Sequence, residues 1–338
     1  MLSTETAALI ALLRQPKIGS QTALRLCLPR DKRGALSPQL TAHLASRLIR
    51  PLNSRERLTL KTLSSGVSSL QADRDKAEAL LSECLANGVD VISFFDQRYP
   101  PLLRLSPRPP LILYSLGDLT PLLTPSLAVV GTRQASVRGL KRAAGSIAML
   151  SRSRSDSSIC IISGLAFGID EAAHRAALDN GLFTVAVVGS GLDRCTPKQQ
   201  KPLWNQILAS GGAIISEQPL SIDSSPASLV NRDRIQAGLA AATYVVESRP
   251  LGGALHTARA SINLGRALWL PSSDRQMLSE FTANPFTTWL NCEERLSDAI
   301  KEFYIDHQRL HLNAEELYHN LANALSTHTD TPSLLTSY

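Results

Sequence analysis

One pattern repeats between Leu127 and Ser272: a short apolar run, a loop of small residues carrying a polar group, then a stretch with helical spacing. The runs are Leu127–Val130, Ile159–Ile162, Thr184–Val188, Ala213–Ile215, Tyr244–Val246 and Ala267–Leu270. Short apolar or β-branched runs between turn residues read as strands buried on both faces, the mark of a parallel sheet. After the first run, Leu140, Ala143, Ala144, Ile147 and Ala148 recur at i, i+3, i+4, i+7 and i+8, which predicts one apolar helix face. Strand and helix in strict alternation predict an α/β fold with a doubly wound, mostly parallel, Rossmann-like sheet, its crossovers right-handed. Ligands of such sheets sit beyond the carboxyl ends of the strands. Function is therefore expected in the loops at those ends.

Composition narrows the class. The chain of 338 residues is long for one domain, and its 43% hydrophobic content suffices for a real core. No run reaches the ~20 apolar residues of a membrane helix. The apolar stretch Ala7–Leu13 follows Glu5 and lacks a basic leader, so it is a poor signal peptide. Cys27, Cys84, Cys160, Cys195 and Cys292 stand singly, without the spacing of a metal knuckle, and are expected as reduced thiols in a cytoplasmic protein. The net charge of +6 is unevenly spread. Residues 1–61 hold eleven Lys/Arg against three acids, and Arg133 to Arg154 hold six basic residues and no acid. From Asp274 onward ten acids face four bases. This fits either a polyanion partner or a solvated basic surface.

The ends are expected to be helical. Residues 1–63 read as a small helical module in which Pro16-Lys-Ile-Gly19 is the turn of a partial helix-hairpin-helix. Residues 64–75 read as a linker, Ala77–Asn87 as a helix stopped by Gly88, and Val89–Phe95 as a strand. The sheet domain is placed at 76–273, and 274–338 as an acidic helical extension.

The strand-end loops lack the marks of common chemistry. The first run ends in Gly131-Thr-Arg133, not the Gly-x-Gly-x-x-Gly of a dinucleotide site, and no Walker A sequence is present. Asp170 and His174 lie four apart without a Ser or Cys nucleophile beside them. No catalytic residue, metal ligand or cofactor is therefore expected. Binding fits the same loops better. Gly164 and Gly168 precede one helix, and Gly189 and Gly191 the next, so their N–H groups are expected to cradle phosphate. Arg133, Arg232 and Arg234 can each hold a phosphate through two N–H groups. Arg234 has the alternative of an ion pair with Asp193 or Glu217. Phe167 is placed either to stack on a base or to pack in the core.

Taken together, Ser163-Gly-Leu-Ala-Phe-Gly-Ile-Asp170 with Ala172-Ala-His174, Gly191-Leu-Asp193, Arg234-Ile-Gln-Ala-Gly-Leu239, Gly253-Ala-Leu-His-Thr-Ala258 and Gly265-Arg266 resemble the DNA-processing protein A family, also called DprA or Smf. Tyr99-Pro100, Pro109-Pro110, Gly117-Asp118 and Val130-Gly-Thr-Arg133 fall in the same order. The resemblance is firm over residues 85–272. It implies a Rossmann-like sheet extended by an additional strand, without enzymatic activity. Its implied partners are single-stranded DNA and a RecA-type recombinase, with the protein itself a homodimer. By resemblance Arg133 and the Arg232/Arg234 loop match the family's DNA-pocket positions, and with the loop reading above the residues expected on DNA are Arg133, Ser163, Gly164, Phe167, Gly168, Gly189, Gly191, Asn231, Arg232 and Arg234.

Three departures bear on that expectation. Phe167 replaces a common lysine, Leu229-Val-Asn-Arg-Asp-Arg234 replaces a Phe-Pro-Arg-Arg-Asn-Arg run, and Gly252-Gly-Ala-Leu-His-Thr-Ala258 replaces Gly-Ser-Leu-Ile-Thr-Ala. Weaker DNA binding than in a typical member is the expected consequence. A winged helix, appended in many members, is expected to be absent or degenerate. Two other readings stay open. One is a phosphoribohydrolase-like enzyme using Glu217 or Glu247; the other is an interaction scaffold without DNA binding.

Overall fold

The protein is described by a computed structural model, in which residues 4–15, 18–27, 67–152, 159–275, 278–291 and 293–327 are placed. Two compact units emerge. The first comprises Met1–Tyr99, Arg104–Tyr114 and Asn313–Tyr338. It holds helices α1 (Thr4–Leu13), α2 (Ser20–Cys27) and α3 (Val67–Ala86), strand β1 (Asp90–Ser93) and the start of β2 (Ile112–Gly117). Pro16 and Lys17 of the expected hairpin turn lie outside the described residues, as does the whole segment between α2 and α3. Helix α3 begins at Val67, so the stretch read as a linker is already helical from there on. Its Ser, Gln and Asp residues suggest a loop, but α1 packs along the helix, and tertiary contact overrides weak propensity. The helix stops where expected. Gly88 takes φ +68°, and the Val89 N–H reaches back to the Cys84 carbonyl at 2.8 Å.

One cation anchors this unit. Arg104 is 4% exposed, donates to the carbonyls of Phe94 (3.3 Å) and Asp96 (2.7 Å), and lies 4.7 Å from the Tyr318 ring centroid. Burial without a close carboxylate lowers its pKa to about 10.

The second unit, Pro100–Leu103 with Ser115–Leu312, carries the repeat. Its elements run β3 (Ser126–Gly131), α4 (Val137–Arg152), β4 (Cys160–Ser163), α5 (Ile169–Asp179), β5 (Phe183–Val188), α6 (Lys201–Ala209), β6 (Ala213–Ser216), α7 (Pro226–Leu239), β7 (Ala242–Glu247), α8 (Ala254–Asn263), β8 (Ala267–Pro271), β9 (Thr287–Leu290) and the first part of α9 (Glu293–Thr327). The strands stand in the order β6-β5-β4-β3-β7-β8-β9, every neighbouring pair parallel, and the end of β2 borders β6. Each of the six apolar runs is one of these strands. At the β2–β6 border Gly117 takes φ +91°, and a Cβ there would lie 2.3 Å from the Gly212 carbonyl oxygen.

Alternate residues of each strand enter opposite cores. Leu127 and Val129 of β3 join Tyr244 and Trp269 against Ile147 of α4, Ile169 and Ala173 of α5, and Ile300 and Phe303 of α9. Val130, Val245, Leu268 and Leu270 face the other way, against Leu255 and Ala258 of α8. Both faces are thus covered by helices, and the doubly wound α/β sheet is present as expected.

Two sequence expectations shift. The buried stripe of α4 is Gly139, Ala143, Ser146, Ile147 and Leu150, while Leu140 is 38% exposed. A serine and a glycine on that stripe disguise it. The sheet also runs past residue 273. Strand β9 pairs with β8, and Leu296, Ala299, Ile300 and Phe303 of α9 complete one core. Thr287 to Leu290 is a short, half-buried strand at the sheet edge with two threonines, so it lacks the apolar signature of the inner strands. Cys27, Cys84, Cys160 and Cys195 are buried, and none of the four is in a disulfide. Cys292 lies outside the described residues. No described helix is long and apolar enough to cross a membrane.

Candidate nucleic-acid interface

The strand order turns at β3. Strands β4, β5 and β6 stand successively to one side of it, and β7, β8 and β9 to the other. Loops leaving the carboxyl ends of β3 and β7 therefore diverge and open a crevice between them. The register between these strands slips at Val130/Gly131, while the Thr132 N–H still reaches the Glu247 carbonyl at 2.8 Å. A Cβ at Gly131 would lie 2.5 Å from Cγ1 of Ile169, so only glycine lets the chain turn there beside α5.

A cavity of about 610 Å³ occupies this crevice. Its walls are Thr132, Arg133 and Gln134 after β3, Ser248 to Gly253 after β7, the side of α7 at Leu229, Val230, Arg232, Asp233 and Gln236, and the start of α8 with His256 and Thr257. Arg133 and Arg249 are exposed at this lining, and Arg249 donates to the Gln134 side-chain carbonyl. Helix α8 starts after Gly253, which lines the cavity, and a Cβ on Gly253 would meet nothing within 4 Å. A helix start carries the positive end of the helix dipole, although here the N–H groups of Leu255 and His256 already donate to the Gly252 and Gly253 carbonyls, each at 3.0 Å. Two arginines and the positive end of a helix dipole thus line one cavity.

Arg232 is placed differently from expectation. It is 7% exposed and turned inward. Nη1 donates to the Val187 carbonyl at 2.7 Å, Nε lies 3.0 Å from the Asp233 carboxylate, and Nη2 lies 3.9 Å from Asp170. Gly164 makes the slot: a Cβ there would sit 1.6 Å from Nη1. The Ser163–Asp170 loop thus folds over a guanidinium. Burial pushes the Asp170 carboxyl upward, opposed by Arg232 and by the N–H groups of Ala166 and Gly164. The Ser163 hydroxyl donates to the Val129 carbonyl at 2.6 Å. Gly168 takes φ +79° at the start of α5, where a Cβ would meet the Thr132 carbonyl at 2.4 Å.

The remaining expected residues lie off the cavity. Arg234 is paired through Nη2 with both oxygens of Glu217, at 2.6 and 2.7 Å, which is the ion-pair alternative. Phe167 is 42% exposed on its loop, and Asn231 is exposed on α7, but neither lines the cavity. Gly189 and Gly191 do not precede a helix directly, since α6 starts at Lys201 after a 3-10 turn. The Gly191 N–H is taken by the Ile222 carbonyl at 2.8 Å, and a Cβ there would lie 2.5 Å from the Pro219 carbonyl. Their role in the fold is close packing. Arg249, Gln134 and His256 line the cavity although the sequence did not mark them as site residues, and Asp233, marked there only as a departure from the family pattern, lines it too. For Arg249 a signal existed, because it sits in a strand-end loop beside the turn of strand order.

Both carboxylates named for an enzymatic reading are engaged elsewhere. Glu217 holds Arg234. Glu247 accepts from the Ser136 N–H and hydroxyl, both at 3.0 Å, just before α4, and a Cβ at Gly139 would collide with it.

His174 is fully buried. The Thr184 hydroxyl donates to the Ile161 carbonyl (2.8 Å), so His174 Nδ1 carries a proton and donates to Thr184 (2.7 Å). Burial, then Arg232, lowers its pKa from 6.5 to about 3. The unfolded chain therefore binds a proton here that the folded chain refuses, and this contribution is present above pH 6.5 and lost as pH falls toward 3. At ~1.4 kcal/mol per pKa unit the loss is on the order of 5 kcal/mol. Denaturant midpoints followed from pH 7 to pH 4 should fall steeply for the wild type and less steeply for His174→Gln. Equal slopes would contradict this assignment.

Comparison with known proteins bears on the same region. The profile of a family described as DNA recombination-mediator protein A matches residues 90–286. The DNA processing protein DprA of Streptococcus pneumoniae is 38% identical over 194 residues, covering 56% of this chain and 65% of that protein. Protein Smf of Synechocystis is 38% identical over 183 residues, covering 53% and 45%. The chain thus spans about half to two thirds of the length of these relatives. The solved S. pneumoniae DprA superposes with a TM-score of 0.57 at 26% identity, covering 83% of this chain and 98% of that one. DNA processing protein A of Helicobacter pylori shares the fold, with a TM-score of 0.55 at 20% identity over 63% of this chain and 96% of that one. A profile match over more than half of the sequence, on the stretch that builds the crevice, makes this chain a member of the DNA recombination-mediator protein A family.

Proposed function

We propose that this protein binds single-stranded DNA in the cavity at the turn of strand order, and that it acts without catalysis as a mediator handing the strand to a RecA-type recombinase. The observation that carries this reading is the convergence of Arg133, Arg249 and the α8 N-terminus on one cavity. Arginine holds phosphate through two N–H groups, and helix-end N–H groups hold it without sequence preference, as a general strand binder needs. The exposed aliphatic side chains of Val230 (45%) and Leu251 (89%) line the same cavity and offer apolar contact to unstacked bases. The H. pylori relative is described by its single-stranded DNA binding mode, which supports the reading by kinship. Engagement of Glu217 and Glu247 in structural pairs favours binding over hydrolysis. A cytoplasmic homodimer is part of the proposal, on family grounds.

Anisotropy of a labelled oligo-dT tests it. Single strands should bind more tightly than duplex, and affinity should fall with rising salt as counterions are released. Equal affinity for duplex, or hydrolysis of a nucleoside monophosphate by the protein, would overturn the reading. A recombinase captured by a protein that does not bind DNA would favour a scaffold instead.

A further inference from the structure

Two carboxylates share one guanidinium in the wall of this cavity. Arg232 has Asp233 at 3.0 Å and Asp170 at 3.9 Å, and all three side chains are largely buried and line the cavity. With both acids ionised the cluster carries one net negative charge, facing the space where a phosphate is to sit. With one proton held it is neutral. The two acids are not equivalent. Asp170 also accepts N–H groups from Ala166 and Gly164, which favour its ionised form. Asp233 has Arg232 as its contacting partner, with Arg133 acting through space.

We propose that Asp233 makes anion binding proton-coupled, so that the cavity takes up a strand phosphate together with a proton on this carboxyl. The proposal rests on the reading of the cavity as a phosphate site and adds its regulation. A phosphate held by Arg133 and Arg249 brings negative charge toward Asp233, and like charges in a poorly hydrated site cannot both be ionised cheaply. The neutral carboxyl removes the repulsion and becomes a hydrogen-bond donor. The charged and titratable groups facing it are Arg232 on its own helix, Asp170 on α5 and Arg133 on the loop after β3. Arg249 and His256 line the remaining wall. Burial, with Asp170 adding to it, pushes the Asp233 carboxyl up to about 7, so the proton exchanges near neutral pH. In a relative with asparagine at this position the coupling is absent.

The experiment is oligo-dT affinity from pH 6 to pH 8.5 at fixed ionic strength for wild type, Asp233→Asn and His256→Gln. One linked proton predicts about a tenfold weakening of the wild type between pH 6 and pH 8. Asp233→Asn should bind at pH 8 at least as tightly as the wild type does at pH 6, with no such slope. His256→Gln should keep the slope whatever its affinity, which separates the carboxyl from the imidazole in the same wall. A wild type that binds with a flat profile, or an Asp233→Asn protein that keeps the slope, overturns the coupling while leaving the site intact. No binding by either protein at any pH overturns the site reading and the coupling with it. Carboxyl NMR of the DNA-free protein adds an independent check: an Asp233 signal titrating in the ordinary carboxylate range would also sink the proposal.

Discussion

Replacing Arg232 by alanine is expected to destabilise the central unit by about 3–5 kcal/mol, the cost of breaking a buried ion cluster from one side. The substitution leaves Asp170 and Asp233 without their shared cation and the Val187 carbonyl without its donor. Melting should fall on the order of 10 °C, at roughly 2–4 °C per kcal/mol for a domain of this size. Gly164→Ala should act in the same direction, because its Cβ would occupy the guanidinium's slot at 1.6 Å from Nη1. Chemical denaturation checks both variants. If Arg232→Ala kept wild-type stability and lost only DNA affinity, the residue would be a phosphate ligand after all, and the inward placement would be wrong.

Arg266→Leu is the second large effect. Arg266 is 2% exposed and faces no carboxylate among the described residues. Its Nη1 donates to the carbonyls of Ala237, Gly238 and Ala240 at 2.5–2.7 Å, and Nη2 to the Leu102 carbonyl at 2.6 Å. Three of these carbonyls belong to the last turn and exit of α7, the acceptors that a helix leaves open at its C-terminus. Leucine fills similar space and takes the guanidinium donors from all four carbonyls, of which Ala237 keeps only a long bond from the Ala240 N–H (3.4 Å). The expected loss is about 3–5 kcal/mol, read as a shift in denaturation midpoint. Because α7 carries Arg232 and Asp233, hydrogen exchange at its C-terminal half should rise as well. Protection unchanged in α7 would contradict a capping role.

The layout of the sheet was legible because its signal is dense. Six apolar runs separated by turn residues and helical periods leave little choice but a parallel, two-sided sheet. Legibility ended where burial and polarity part company. The α4 stripe hides behind Gly139 and Ser146, β9 behind two threonines, and the start of α3 behind polar residues with helical contacts. The site shows the same limit. Arg133 lines the cavity, as a basic residue directly after a strand projects from the sheet edge. Arg232 and Arg234 carry the same chemistry in sequence, yet one is turned inward by the slot at Gly164 and the other is matched by Glu217. No local pattern distinguishes a free arginine from a paired one, since the partner lies tens of residues away. The glycines were recognised as close-approach positions, and beside Gly168 and Gly191 protein backbone makes the approach.

The most direct test of the central claim is the salt dependence of oligo-dT affinity for the wild type against the Arg133→Ala, Arg249→Ala double variant. Both arginines are exposed, so folding should be unaffected, and circular dichroism would verify it. If the cavity holds the strand's phosphates, the variant should bind at least tenfold more weakly at low salt. The slope of log affinity against log salt should also shrink by about 1.4, at ~0.7 for each single-strand phosphate that is no longer neutralised. A folded double variant with wild-type affinity and an unchanged slope would place the strand elsewhere on the molecule.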